Sequence, residues 1–477
     1  MKRAQFSASQ NGRKIICSSA SLSNGDFFLN PLLSFSSCHG TIKEYLSRLE
    51  QLIIAYILPV GLVIQITGII WLGRGSSWAT QTYLWLILPS FVVFLINIKK
   101  ITTWRPIWAE IFLLMFLVWA FLSKGWSNTT LTWADVAKRC IFISLYIYAI
   151  IRLGETPKKL QKCLLFCCFI AACAALLSLI YHYGVEGHGM LYRQYRIFSF
   201  QGRWANLSHP VVAAMYYSLF LILLLHWQQK KFYHQNMHRL LFCSWAGITI
   251  LILYIVMTWS RGPGVAVLVG IFISMVIYRN KMAYVYLFLS LLVIMFIMCV
   301  NTEHLSSQHQ HADKYNFTLK TIIENMFSGH TVIENTFGGR TNIWKTAVLQ
   351  IIQRPWLGHG FDSAFAAYNN WGELVDSPHN YFLHVLYLYG VVGILLFISM
   401  LVGMAGLALK SAYRHHLLMK TGVILLIVSL IAMLNDIQKI ITRPNESWLY
   451  IWLPVGMILS VYYQQKGLIH RKEEHGL

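Results

Sequence analysis

Charge is scarce in this sequence, and negative charge is the scarcer half. Asp, Glu, Lys and Arg together make up 12% of the 477 residues, about half the share usual in soluble proteins. Hydrophobic residues reach 56% and mean hydropathy is +0.53. A soluble chain so poor in charge has too little polar surface to cover its core, so the composition excludes a cytosolic enzyme, a disordered regulator and a secreted scaffold. The nine cysteines sit in the N-terminal tail and in or beside apolar runs, with none in the long polar loops. No disulfide framework is implied, and the cluster Cys163, Cys167, Cys168 and Cys173 reads as small apolar packing residues. No P-loop, no serine-nucleophile elbow and no acidic pair of the Asp-x-Asp kind in the first external loop is found. His304, His309, His311 and Asp313 stand in a segment that reads as a solvated linker, so no metal site and no cofactor is expected.

What is present is a series of apolar runs long enough to cross a bilayer. They fall near 51–72, 83–98, 107–123, 137–152, 163–184, 210–227, 240–258, 264–279, 282–300, 381–408, 418–434 and 448–463. The expected fold is therefore an all-α polytopic membrane protein with about twelve transmembrane helices. Residues 1–50 read as a polar, disordered cytoplasmic tail, 51–300 as helices one to nine, and 301–380 as a large periplasmic loop. Residues 381–463 supply helices ten to twelve, and 464–477 a cytoplasmic tail. The surplus of 39 Lys+Arg over 18 Asp+Glu fits this topology and calls for no nucleic acid. With the N-terminus inside, 24 of the 39 basic residues lie on the cytoplasmic side, although the longest loop lies outside. Lys138 and Arg139, at an outer helix end, are the main exception.

Four places carry unusual polar residues near the outer face. Trp259-Ser260-Arg261-Gly262-Pro263-Gly264 joins two helices; an Arg at membrane depth is costly without an anionic partner or a route to water, and the glycines allow a ligand close to backbone. The alternative is a snorkelling Arg in a tight turn. Gly338-Gly339-Arg340-Thr341-Asn342-Ile343-Trp344 leads into an amphipathic stretch and reads either as an anion site at a helix start or as a surface Arg in a helix-start turn; Arg340 and Trp344 stand one turn apart, so the indole could hold the guanidinium. Asp376-Ser377-Pro378-His379-Asn380-Tyr381 puts His379 at the water boundary, where a residue that titrates near neutral pH suits a general base. His384, further into that helix, reads as a satisfied packing histidine. The fourth place is the basic, aromatic loop with Arg193, Arg196 and Arg203, suited equally to phosphates or sugars and to lipid headgroups.

Topology puts Arg261, Arg340 and His379 on one face of the membrane. Two fixed cations and one titratable base suit the transfer of a group from a lipid pyrophosphate to a hydroxyl. Here the sequence resembles a known family. SRGPG after an apolar helix, GGRTNIW, RPWLGHGFDSAF and SPHNYFLHVLYLYGVVG, in this order, look like the signature of the O-antigen ligase/polymerase superfamily. The resemblance is clearest over about 240–400, and His379-Asn380 followed by Gly390 and Gly393 is its most specific part. It implies a metal- and ATP-independent glycosyltransferase in the bacterial inner membrane, of the O-antigen ligase type. Such an enzyme moves O-antigen from undecaprenyl pyrophosphate to lipid A–core at the periplasmic face. Carried over, Arg261 and Arg340 hold the pyrophosphate and His379 is the base, with Trp344, Asn380, Arg196 and Arg203 binding substrate. Two rivals remain. An O-antigen or exopolysaccharide polymerase uses a similar donor and a different acceptor. A secondary transporter predicts buried ionisable residues and broken helices near the bilayer midplane.

Overall fold

The computed structural model describes residues 42–72, 75–101, 105–189, 197–200, 207, 209–231, 238–278, 282, 284–293, 340–369, 372–410, 413–434 and 439–474. The chain divides after Arg48 into two units. Of the first unit, 42–48 are described and are helical; the second, from Leu49 onward, holds all the other described residues.

The described chain is overwhelmingly helical. In order come α1 (Ile42–Trp71), α2 (Ser76–Ile96), α3 (Trp108–Trp126), α4 (Trp133–Gly154), α5 (Pro157–Val185), α6 (Pro210–Lys231), α7 (His238–Met257), α8 (Arg261–Tyr278) and α9 (Tyr284–Val293). Then come α10 (Thr341–Gln353), α11 (Tyr381–Leu409), α12 (Leu417–Ala432) and α13 (Trp452–Glu474). In hydrocarbon every backbone N–H and C=O must be satisfied within the protein, and a helix does this within one segment. Among the described residues six helices are long and apolar enough to cross a membrane: α1, α2, α3, α5, the Pro210–Trp227 part of α6, and α11. All twelve apolar runs overlap helices, but the structure establishes six by length and composition rather than twelve.

Several boundaries differ from expectation. Helix begins at Ile42, inside the segment expected to be an unstructured tail, because IKEYLSRLEQL has the apolar spacing of an amphipathic helix. The last helix runs to Glu474, through most of the expected C-terminal tail. The helix expected from 264 begins at Arg261, since the Ser260 carbonyl already accepts the Gly264 N–H at 3.2 Å and Pro263 is tolerated in a first turn.

Helix α6 lies at the centre, its Pro210–Trp227 stretch buried throughout. That is where a helix apolar on every side belongs. Two of its polar groups are bonded across to neighbours: Tyr216 Oη donates to the Ile66 carbonyl at 2.8 Å, and His226 Nε2 lies 2.9 Å from Ser274 Oγ.

One end of the bundle carries a cap, residues 340–380. Helix α10 buries Ile343, Ala347 and Ile351, four residues apart, and a short antiparallel pair, β1 (Ala367–Tyr368) and β2 (Leu374–Val375), comes after it. The cap is built into the bundle rather than laid on it. Helix α11 is broken at Gly390, whose φ of 66° lies in the left-handed region. The segment after α10 fills the break. The Tyr387 and Leu388 carbonyls accept N–H bonds from His359 and Gly360, both at 2.8 Å, and Val391 N donates to the Pro355 carbonyl at 2.8 Å. Trp119 Nε1 donates to the Tyr389 carbonyl at 2.9 Å. Irregular backbone inside a spanning helix is tolerated only where other protein satisfies it, and here the cap does so. A broken helix is one feature expected of a transporter, but this break is closed by the protein's own backbone.

Candidate active site

The capped end carries Arg340, Trp344, His379 and Asn380, four of the residues singled out in the sequence. Asn380 caps α11: its Oδ1 accepts from Leu383 N at 3.1 Å, while its Nδ2 donates to the Leu434 carbonyl at 3.1 Å. Tyr381 N donates to the Met433 carbonyl at 3.0 Å. The start of α11 is thus tied by two bonds to the residues that end α12. On the other side of His379, the Pro378 carbonyl accepts the Trp344 indole N–H at 3.0 Å. His379 itself has φ of 48°, uncommon for a residue with a side chain, and stands half-buried between these two anchors. It lines an open cavity of about 260 Å3 with Phe365, Leu374, Val375 and Asp376.

Arg340 is the residue before α10, half-buried, and its carbonyl accepts the Trp344 N–H at 2.9 Å. The Trp344 indole sends its N–H to the Pro378 carbonyl, so Trp344 joins the helix that starts at Arg340 to the turn that carries His379. Arg340 and Trp344 thus begin one helix, and the Trp344 indole bonds the residue just before His379 and Asn380.

Arg261 reaches the same end through helix packing. A methyl placed on Gly270 of α8 would strike the side chain of Val428 of α12 and meet Ile222 of α6. Four residues on, Ser274 bonds His226, which feels the charge of Lys420. Going up α8 therefore means going down α12, and the two run antiparallel. Arg261 stands nine residues before Gly270, roughly 13 Å along the axis, toward the Met433–Leu434 end that holds Tyr381 and Asn380. The Arg261 side chain is exposed. The strained residue in this turn is not a glycine but Trp259, with φ of 53°. Among the described residues, nothing lies within 4 Å of a Cβ placed on Gly264. Arg196 and Arg203 lie outside the described residues.

A second polar group supports the cap. Asp362 pairs with Lys439 at 2.7 Å and with Arg139 at 3.6 Å, and the Arg139 guanidinium lies 5.8 Å from the Phe361 ring centre. This accounts for Arg139, which broke the charge pattern in the sequence: it serves as a partner for the cap. The sequence signal was present in that exception and in the Phe361-Asp362 step of the RPWLGHGFDSAF stretch, but nothing in the spacing joined them. Beside this group a cavity of about 20 Å3 is lined by Asp362, Tyr381, His384 and Lys439. His384 is buried as expected, but it is not satisfied: among the described residues neither its Nδ1 nor the Tyr381 hydroxyl has a hydrogen-bond partner.

Fold and site together define a multi-pass helical membrane protein with two arginines and a histidine gathered at one capped end. Residues 246–398 match the O-antigen ligase family, a range that contains Arg261, Arg340, Trp344, His379, Asn380 and Gly390. An O-antigen ligase of Pseudomonas aeruginosa (strain PAO1) is 24% identical over 444 residues, 90% of this chain and 97% of that protein. Together these findings support the O-antigen ligase family for this chain.

Proposed function

We propose that this protein transfers O-antigen polysaccharide from undecaprenyl pyrophosphate to a sugar hydroxyl of lipid A–core, as an O-antigen ligase with its capped end at the periplasmic face of the bacterial inner membrane. The accompanying topology has twelve spans, both termini in the cytoplasm, and the 301–380 segment outside. The observation that carries the reading is the bond from Trp344, in the helix that starts at Arg340, to Pro378 beside His379, with Arg261 toward the same end of the bundle.

In the reaction the acceptor oxygen forms a bond to the anomeric carbon of the donor as the bond from that carbon to the pyrophosphate oxygen breaks. His379 takes the hydroxyl proton, and the diphosphate leaves with its new negative charge held by Arg261 and Arg340. The two guanidiniums supply the positive charge that the leaving group needs, without a metal. Trp344 and Asn380 hold the His379 turn and bind substrate beside it, and Arg196 and Arg203 extend the basic surface toward phosphates or sugars. A lateral cleft between helices, roofed by the 301–380 segment, would admit the polyprenyl chain from the surrounding membrane lipids.

The reading is tested in a ligase-null strain that still makes lipid-linked O-antigen. A ladder of long glycan on lipid A–core, restored by this gene, supports ligase activity. No ladder from well-expressed, membrane-inserted protein, with restored chain growth in a polymerase-null strain, would replace it with the polymerase reading.

A further inference from the structure

At the end of α5, three side chains converge that the proposed transfer reaction does not use. The helix finishes in a wide turn, Ile180–Val185, closed by Glu186 N donating to the Tyr181 carbonyl at 2.9 Å. Gly187 then takes φ of 69°, and the chain folds back so that His188 N donates to the His182 carbonyl at 3.3 Å. This glycine-terminated helix end is a familiar way of satisfying the last carbonyls. Here it also brings the side chains on either side of the turn together. Glu186 Oε2 lies 3.2 Å from His182 Nδ1 and 3.1 Å from His188 Nε2, and the two imidazole rings are 4.4 Å apart. The ligand atoms of all three lie within 4.8 Å of one another.

We propose that His182, Glu186 and His188 form a site for a zinc-type divalent cation, bound by His182 Nδ1, Glu186 Oε2 and His188 Nε2 with a fourth position open to water. Two imidazoles and one carboxylate are a donor set that zinc accepts, at about 2.0–2.2 Å per ligand. Around a tetrahedral ion at that distance, ligand atoms stand roughly 3.3 Å from one another, close to the two nitrogen–oxygen separations seen here. Calcium and magnesium are disfavoured, because they require mostly oxygen ligands. The spacing His-x3-Glu-x-His is visible in the sequence, but its meaning depends on the left-handed turn at Gly187, which composition does not reveal. The cation would join the last turn of α5 to the first residues of the basic segment after it, a structural role independent of the ligase reading.

The test uses the full, untagged chain in detergent, stripped with a chelator and dialysed against zinc chloride. Metal content is measured by mass spectrometry and affinity by calorimetry. One zinc per chain is expected, with affinity falling at least about tenfold in Glu186→Gln and further in the double variant His182→Ala/His188→Ala. Elution as a folded monodisperse species checks that the variants are intact. The proposal is overturned if the wild-type chain retains no zinc. It is overturned equally if the double variant retains the wild-type amount and replacement of His304, His309 and His311 removes it.

Discussion

The indole N–H of Trp344 donates to the carbonyl of Pro378 at 3.0 Å, and this bond ties the helix that begins at Arg340 to the turn that presents His379. The two residues are far apart in sequence and belong to motifs that looked independent. In the proposed reaction, the spacing between a pyrophosphate at Arg340 and a base at His379 depends in part on this one donor and one carbonyl.

Trp344→Phe keeps an aromatic ring and removes the donor. The bond is worth about 1 kcal/mol of stability, so the variant should fold and insert. Its transfer activity should fall several-fold without disappearing, read as a fainter glycan ladder at equal protein level. Unchanged transfer would mean that the His379 turn is held adequately by Asn380 alone.

Gly390→Ala should be far more damaging to stability. A Cβ there would strike the Trp356 carbonyl, and the left-handed φ disfavours any side chain. Strain and overpacking together cost about 3 kcal/mol. Thermal unfolding in detergent should show a lowered midpoint and the membrane yield should drop. Gly406→Ala, in open space later in the same helix, should behave as wild type or better.

The Asp362–Lys439 pair is half open to water on the lysine side, so its worth is small. A double-mutant cycle with Asp362→Asn and Lys439→Gln should give a coupling of about 0.5–1 kcal/mol. A coupling near zero would leave the Arg139 contact as the main support of Asp362.

Arg261→Lys and Arg340→Lys retain charge but lose the planar fork that suits a diphosphate. Each should reduce transfer by at least about tenfold, measured with purified protein and lipid-linked donor. Lys345→Ala, exposed on α10, should leave it unchanged.

Much of this architecture can be read from the chain, because a bilayer permits so few solutions. Apolar runs of adequate length must be helices, and each of the twelve overlaps one. Arg261, Arg340 and His379 were identifiable as polar residues at helix ends, and the alternation of ends placed them together. The sequence is silent about backbone that leaves the helical pattern. Nothing in YLYGVVG shows that Gly390 is left-handed, since a glycine within an apolar run reads equally as a packing residue. The insertion of Pro355–Gly360 into that break is a long-range pairing with no local signature. Likewise Trp259, not Gly262 or Gly264, takes the strained conformation before α8, and the unsatisfied state of His384 arises from neighbours brought from elsewhere in the chain.

The most direct measurement is a lipopolysaccharide gel from a ligase-null strain that accumulates lipid-linked O-antigen, complemented in parallel with the wild-type gene and with His379→Ala. The account predicts a full ladder of glycan on lipid A–core for wild type and none for His379→Ala, with equal amounts of both proteins in the membrane. A ladder of wild-type intensity from His379→Ala would contradict it, because the proton of the acceptor hydroxyl would then have to leave by another route.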